Sequence, residues 1–232
     1  MYTNISQYFN KIFPLNQATL DCLEQTFTGC TNILDLACGD GKYAIAMTNK
    51  SRKIIGADVD EAMIAIAQGQ GTATDFCVCD FLHLNQHFTV AQFDGIFCIG
   101  NSLAHVKDTN ELASVFEQMY HILQVTGKLL IQIINYNRIF EQNITALPVI
   151  QHDELTFERL YHHQYPHIDF HTKLFVNDDL IQEQHQLLYG ITKEQLLEAA
   201  QTCGFHVTNL YGTFTQTAWD KDSFHSIFVF EK

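Results

Sequence analysis

The sequence predicts an α/β fold: a doubly wound, mostly parallel seven-stranded sheet, Rossmann-like, with a small antiparallel cap inserted after the fifth strand. Two observations carry this. Over the first two thirds of the chain, short apolar β-branched runs alternate with amphipathic helical stretches, as in a parallel sheet covered by helices on both faces. Near residue 150 the rhythm stops, and strand-length mixtures of polar and apolar residues follow one another with few helix signals between them.

In order, TLDCLEQTF (19–27) reads as a helix and TNILDLA (31–37) as a buried strand. GKYAIAMTNK (41–50) is the helix after a glycine turn, KIIGADV (53–59) a strand, DEAMIAIAQ (60–68) a helix and TDFCVCD (74–80) a strand. FDGIFCIG (93–100) gives the fourth strand, NELASVFEQMYHILQ (110–124) a helix and KLLIQIIN (128–135) the fifth strand. LTFERLYHHQY, DFHTKLFV and LIQEQHQLLY make the cap. TKEQLLEAAQTCG (192–204) then restores the α/β rhythm, with Thr192 and Gln195 as a capping box and Gly204 ending the helix. FHVTNLYG and SFHSIFVFEK follow without a helix between them, which predicts an antiparallel hairpin at the sheet edge, turning through WDKDS. The expected division is 1–148 for N-terminal helices and a cofactor-binding core, 149–190 for the cap, and 191–232 for the helix and hairpin that complete the core.

Composition narrows the function. The chain has 232 residues, 47% apolar and 17% charged, so it can bury a core and is not disordered. A net charge of −13, with Arg52, Arg138 and Arg159 as the three arginines, argues against nucleic acid and anionic membranes as partners. The seven cysteines have no framework spacing and lie mostly in apolar stretches, as free thiols do in a reducing cytoplasm. The first residues, MYTNISQYFN, lack the basic and apolar regions of a signal peptide, and no apolar run is long enough to span a bilayer. A cytoplasmic protein is expected; its oligomeric state is not legible.

The chemistry starts at ILDLACGDGKYA (33–44). Gly39 to Ala44 satisfies G-x-G-x-x-A, and Asp58 ends the next strand where nucleoside-binding sheets bind ribose. Asp35 discriminates among ligands. A carboxylate beside a pyrophosphate is costly, whereas S-adenosylmethionine carries a sulfonium and an ammonium and no phosphate.

Here D-x-A-C-G-D-G, GADVDEAMIAIA, CDF and FDGIFCIGNSLAHV resemble, in order, the motifs of class I S-adenosylmethionine-dependent methyltransferases, over residues about 30–135. CIGNSLAHV and NYNRI make the chain look most like the glycine and sarcosine N-methyltransferase type, whose cap lies where the antiparallel layer is inserted. The resemblance implies S-adenosylmethionine as cofactor and a small-molecule methyl acceptor, with nitrogen the favoured atom. It implies that Asp35, Ala37, Gly39 and Gly41 line the methionine end, that Asp58 binds the ribose, and that Val59, Asp80 and Phe81 hold the adenine. Ile99, Asn101, Ser102 and His105 would follow the fourth strand at the ligand edge, and Asn135 and Tyr136 would face the transferred methyl.

One position departs from the type. Where glycine-type enzymes carry an arginine before the Asn-Tyr pair, this chain has Ile134, which cannot grip a carboxylate. A neutral or amine-bearing acceptor is therefore expected, held by Asn101, Asn135, Tyr136 and cap aromatics; Arg159 in the cap could serve as the clamp instead, with an exposed strand arginine the favoured reading. His105 is the nearest candidate base, catalytic only if it takes the acceptor's proton. Phe157, Tyr161, Tyr165, Phe170 and Phe175 read mainly as the cap's own core. No metal is expected, because adjacent His162 and His163 point to opposite faces of a strand. A nicotinamide-dependent oxidoreductase and a non-catalytic cofactor-binding module are the rival readings.

Overall fold

A computed structural model describes residues 8–71 and 73–232. The expectation drawn from the first ten residues falls largely on 1–7, outside the described residues. The chain runs through α1 (Phe9–Ile12), α2 (Gln17–Thr26), β1 (Asn32–Leu36), α3 (Lys42–Met47), β2 (Lys53–Asp58), α4 (Glu61–Gly69) and β3 (Asp75–Val78). It continues with β4 (Phe93–Cys98), α5 (Thr109–Ile122), β5 (Leu123–Ile134) and α6 (Tyr136–Glu141). The cap strands are β6 (Ile150–His152), β7 (Leu155–Gln164), β8 (His167–Val176) and β9 (Asp179–Tyr189). α7 (Lys193–Thr202), β10 (His206–Tyr211) and β11 (His225–Glu231) close the fold.

The seven-stranded sheet has the order β10-β11-β5-β4-β1-β2-β3. β1 to β5 pair in parallel, while β11 runs antiparallel to both β5 and β10. The chain leaves β1 in one direction for β2 and β3, then returns to its other side with β4. That reversal opens a crevice at the carboxyl ends of β1 and β4, where doubly wound sheets take their ligands. The predicted patterns hold because they match burial. Residues 33–36 of β1 are all buried. α5 buries Leu112, Val115, Phe116, Met119 and Ile122, one stripe at helical spacing. α7 carries the Thr192–Gln195 capping box, and Gly204 adopts φ +99° after it.

The observed elements differ from the expected ones in places. α3 is six residues long and stops at Met47. α5 ends at Ile122, since β5 starts at once with Leu123 and absorbs an irregularity around Thr126, which sits at φ +66°. The four-residue α1 went unforeseen, being too short to show a period.

The cap is a separate antiparallel sheet ordered β6-β7-β8-β9. Its strands alternate faces, and one face turns back over the crevice. Among the described residues, no helix is long and apolar enough to cross a membrane.

Candidate active site

A cavity of about 530 Å³ lies between the ligand edge of the sheet and the cap. Asp35, Ala37, Cys38, Gly39 and Asp58 line it from the ends of β1 and β2. Ile99, Asn101, Ser102 and His105 line it from the segment after β4, and Gln132 and Ile134 from β5. Alternate cap residues close it from above: Phe157, Arg159 and Tyr161 of β7, Phe170 and Thr172 of β8, Gln184, Gln186 and Leu188 of β9. Phe9 and residues 12–16 supply the N-terminal wall, and Thr19, Lys42, Tyr43, Met63, Gly100, Leu147 and Phe214 complete the lining.

At the glycine turn the backbone is left-handed at Ala37, Gly39 and Gly41, with φ of +60°, +55° and +76°. Gly39 N–H donates to Asp58 Oδ2 at 2.8 Å, and Asp60 N–H donates to Asp58 Oδ1 at 2.9 Å. Asp58 is thus locked in place, each oxygen retaining a lone pair for a ligand. A side chain at Gly41 would overlap the Phe76 ring, so that glycine serves packing and does not line the cavity.

The two acids of the motif separate. Asp40 is buried, lies outside the cavity wall, and is neutralised by Lys42 at 2.8 Å. Asp35 lies on the wall, 3% exposed, with Oδ2 buried and without a hydrogen-bond partner. Burial first, then the nearby charges of Asp58 and Asp40, push its carboxyl well above the usual range. A buried acid held in this way favours a cation beside it and opposes phosphate.

The profile of a methyltransferase domain matches residues 33–127, the stretch from β1 into β5 that carries this turn. A putative methyltransferase from Geobacillus sp. (strain WCH70) is 25% identical over 252 residues, spanning 100% of this chain and 99% of its own length. A glycine/sarcosine N-methyltransferase from Halorhodospira halochloris is 24% identical over 216 residues, 88% of this chain and 76% of its own. The crystal structure of an S-adenosylmethionine-dependent methyltransferase from Clostridium acetobutylicum ATCC 824 superposes with a TM-score of 0.84 at 16% identity, covering 99% of this chain and 98% of that one. These likenesses support an S-adenosylmethionine-dependent methyltransferase, whose domain profile spans residues 33–127.

Five further positions carried over by resemblance do not line the cavity of this methyltransferase. Asn135 is 1% exposed and caps α6: its amide donates to the Lys221 and Ser223 carbonyls at 3.1 and 3.0 Å and accepts from Arg138 N–H at 3.3 Å. With its amide so committed, it does not line the cavity. Tyr136 is fully buried with its phenol pushed up by burial, and its hydroxyl accepts from Asn101 Nδ2 at 2.8 Å. It touches the cavity only through Asn101. That residue also accepts the Ile134 N–H at 3.0 Å, so its amide is spent on holding the wall. Val59 is 65% exposed beyond the end of β2, and it does not line the cavity. Phe81 packs on the main core instead. Asp80 accepts from Leu82 N–H at 2.9 Å as a helix cap, off the wall as described.

His105 lines the cavity of the methyltransferase with Nδ1 buried and unpartnered, and burial pushes its pKa down, leaving the ring neutral. Ser102 Oγ donates to the Ile99 carbonyl at 3.0 Å. Of the cap aromatics, Phe157, Tyr161 and Phe170 line the cavity, whereas Tyr165 is 75% exposed.

Arg159, favoured as an exposed strand residue and named as an alternative clamp, is half-buried. It reaches the cavity from β7, where one terminal nitrogen donates to the Pro148 carbonyl at 2.6 Å and the buried Nε has no partner. No carboxylate among the described residues pairs with it, and burial pushes its pKa down. Gln132, Gln184, Gln186 and the N-terminal wall were also missed. For strand residues the signal was available only once the cavity-facing parity was known.

Proposed function

We propose that this methyltransferase methylates a nitrogen of a small molecule that also carries an anionic group, a carboxylate in the simplest case. The observation behind this is the Arg159 guanidinium, set without a carboxylate partner in the roof of the cavity that Asp35 lines from below. An arginine half-buried in this way is costly to leave unpaired and grips a carboxylate through paired N–H donors. Arg159 thus takes from the cap the part that Ile134 cannot play in the sheet. The acceptor atom follows the N-methyltransferase named among the relatives.

The residues fit the cofactor's chemistry at the other end. S-adenosylmethionine supplies an electrophilic methyl on a sulfonium, and in the transfer the nitrogen–carbon bond forms as the carbon–sulfur bond breaks. Asp35 faces the cationic methionine portion, Gly39 leaves room for close backbone approach, and the locked Asp58 accepts ribose hydroxyls. The cap and the N-terminal wall exclude water and align the acceptor. His105, neutral and unpartnered at Nδ1, takes the proton released from the acceptor nitrogen.

The test is radiolabelled methyl transfer by the unmodified protein to matched pairs of amines with and without a carboxylate. The acceptor with the carboxylate is expected to be used better, and Arg159→Met should raise its KM by roughly tenfold or more, the worth of one charge-assisted contact. Equal use of both members of each pair, unaffected by Arg159→Met, overturns this assignment.

A further inference from the structure

The outer face of the cap carries a second cluster, away from the methyl-transfer cavity. We propose that His171, Glu183 and His185 bind one divalent transition-metal ion of the zinc type, and that the ion clips β8 to β9.

The placement follows from strand parity. Phe170 and Thr172 of β8 and Gln184 and Gln186 of β9 face the cavity, so His171, Glu183 and His185 face outward. The ladder pairs His171 directly with His185, and their rings stack at 4.0 Å. His171 Nε2 lies 2.7 Å from Glu183 Oε1, and one ligand atom from each of the three residues lies within 4.8 Å of the others. Two imidazole nitrogens and one carboxylate oxygen form a common zinc donor set, with a fourth position left for water.

A supporting contact sits behind the cluster. His185 Nδ1 lies 2.9 and 3.1 Å from the two oxygens of Asp169. The carboxylate fixes the proton on Nδ1 and leaves Nε2 as the lone-pair atom, the arrangement that orients metal-binding histidines. His162 lies next along the same face, its ring 5.8 Å from that of His171. Among the described residues, the cation paired with the cluster is Lys173, with Nζ 3.4 Å from Glu183. It stands directly across the ladder from Glu158, which can take the ammonium when a cation occupies Glu183.

The sequence hid this cluster. Histidines were weighed as neighbours along the chain, where His162 and His163 do diverge: His163 turns to the Ile144 carbonyl at 2.7 Å. The ligand set arises across strands, from residues 12 and 14 positions away from His171 in sequence. Its effect on the molecule is structural. The strands it joins are those whose inner faces wall the acceptor cavity, so the ion stiffens the roof and takes no part in methyl transfer.

The experiment uses tag-free, chelator-treated protein, titrated calorimetrically with Zn2+ and followed by visible absorption with Co2+. One ion per chain is expected, with tetrahedral Co2+ bands and a rise in the thermal midpoint on adding Zn2+. His185→Gln, on an exposed strand position that folding tolerates, should weaken binding at least tenfold and abolish the thermal rise. Asp169→Asn should weaken it by about 10- to 100-fold. His171→Asn and Glu183→Gln should act like His185→Gln, while S-adenosylmethionine affinity stays unchanged in all four. Absence of stoichiometric Zn2+ binding to the wild type overturns the proposal, as does binding that His185→Gln and Glu183→Gln leave intact.

Discussion

Asp58 shows how a single side chain is prepared for a ligand before it arrives. Its two oxygens accept the Gly39 and Asp60 N–H groups, which fixes the carboxylate at the mouth of the glycine turn with lone pairs to spare. Asp58→Ala removes two hydroxyl bonds of the charge-assisted kind, each worth about 1.5–3 kcal/mol. Calorimetry should show S-adenosylmethionine affinity falling by at least tenfold with the melting transition still cooperative; unchanged affinity would place the ribose elsewhere. This residue, Asp35 and Gly39 were legible because a contiguous motif fixes both their order and the turn that aims them. Arg159 was legible only as an alternative, since a strand of mixed polarity does not reveal which parity faces a cavity until its partner strands are known. Asn135 and Tyr136 differ in the opposite sense: the motif points to them, but hydrogen bonds to neighbours hold their polar atoms off the cavity wall.

At the scale of elements, the junction of β5 and α6 ties the parallel core to the loop that leads into β11. Asn135 caps α6 and at the same time satisfies the Lys221 and Ser223 carbonyls. Asn135→Ala strips the cap and strands two carbonyls, which should cost about 2–3 kcal/mol in denaturant unfolding. Affinity for S-adenosylmethionine should hold in the folded fraction. A large loss of methyl transfer without loss of stability would return Asn135 to the chemistry. The order of α and β elements was legible from periodicity, and so was the cap, because composition changes where a parallel sheet stops. The N-terminal wall was not. Its helix has four residues, too few to carry a pattern, and it matters through what it packs on.

On the proposed function, the whole molecule joins two chemistries across one cavity, an acid below for a cationic donor and an arginine above for an anionic acceptor. The frame that holds them has its own pH sensitivity. Gly100 N–H donates to Gln132 Oε1 at 2.7 Å, which turns Gln132 Nε2 toward His225 Nδ1 at 3.1 Å and keeps that imidazole neutral. Burial lowers the His225 pKa from 6.5 to about 4. The unfolded chain therefore takes up a proton that the folded chain refuses, so stability is full above about pH 6.5 and declines as pH falls toward 4. The loss is about 3 kcal/mol from this one site. Urea unfolding at stepped pH should show that slope in the wild type and a flatter one in His225→Gln; equal slopes would assign acid lability to other groups.

The account rests most heavily on Asp35 as the acid that recognises a cation, and its titration offers the most direct measurement. Burial, with the charges of Asp58 and Asp40, holds the Asp35 carboxyl above the ordinary carboxylate range, and a cationic ligand selects the ionised form. S-adenosylmethionine should therefore bind more tightly as pH rises through that raised pKa, by up to about tenfold per unit, with release of a proton below it. Calorimetric titration across pH, in buffers of different ionisation enthalpy, reads both affinity and proton release. The predicted result is a rising affinity with proton release in the wild type, and weaker, pH-independent binding in Asp35→Asn. Equal affinity and an identical pH profile for the two proteins would contradict the account.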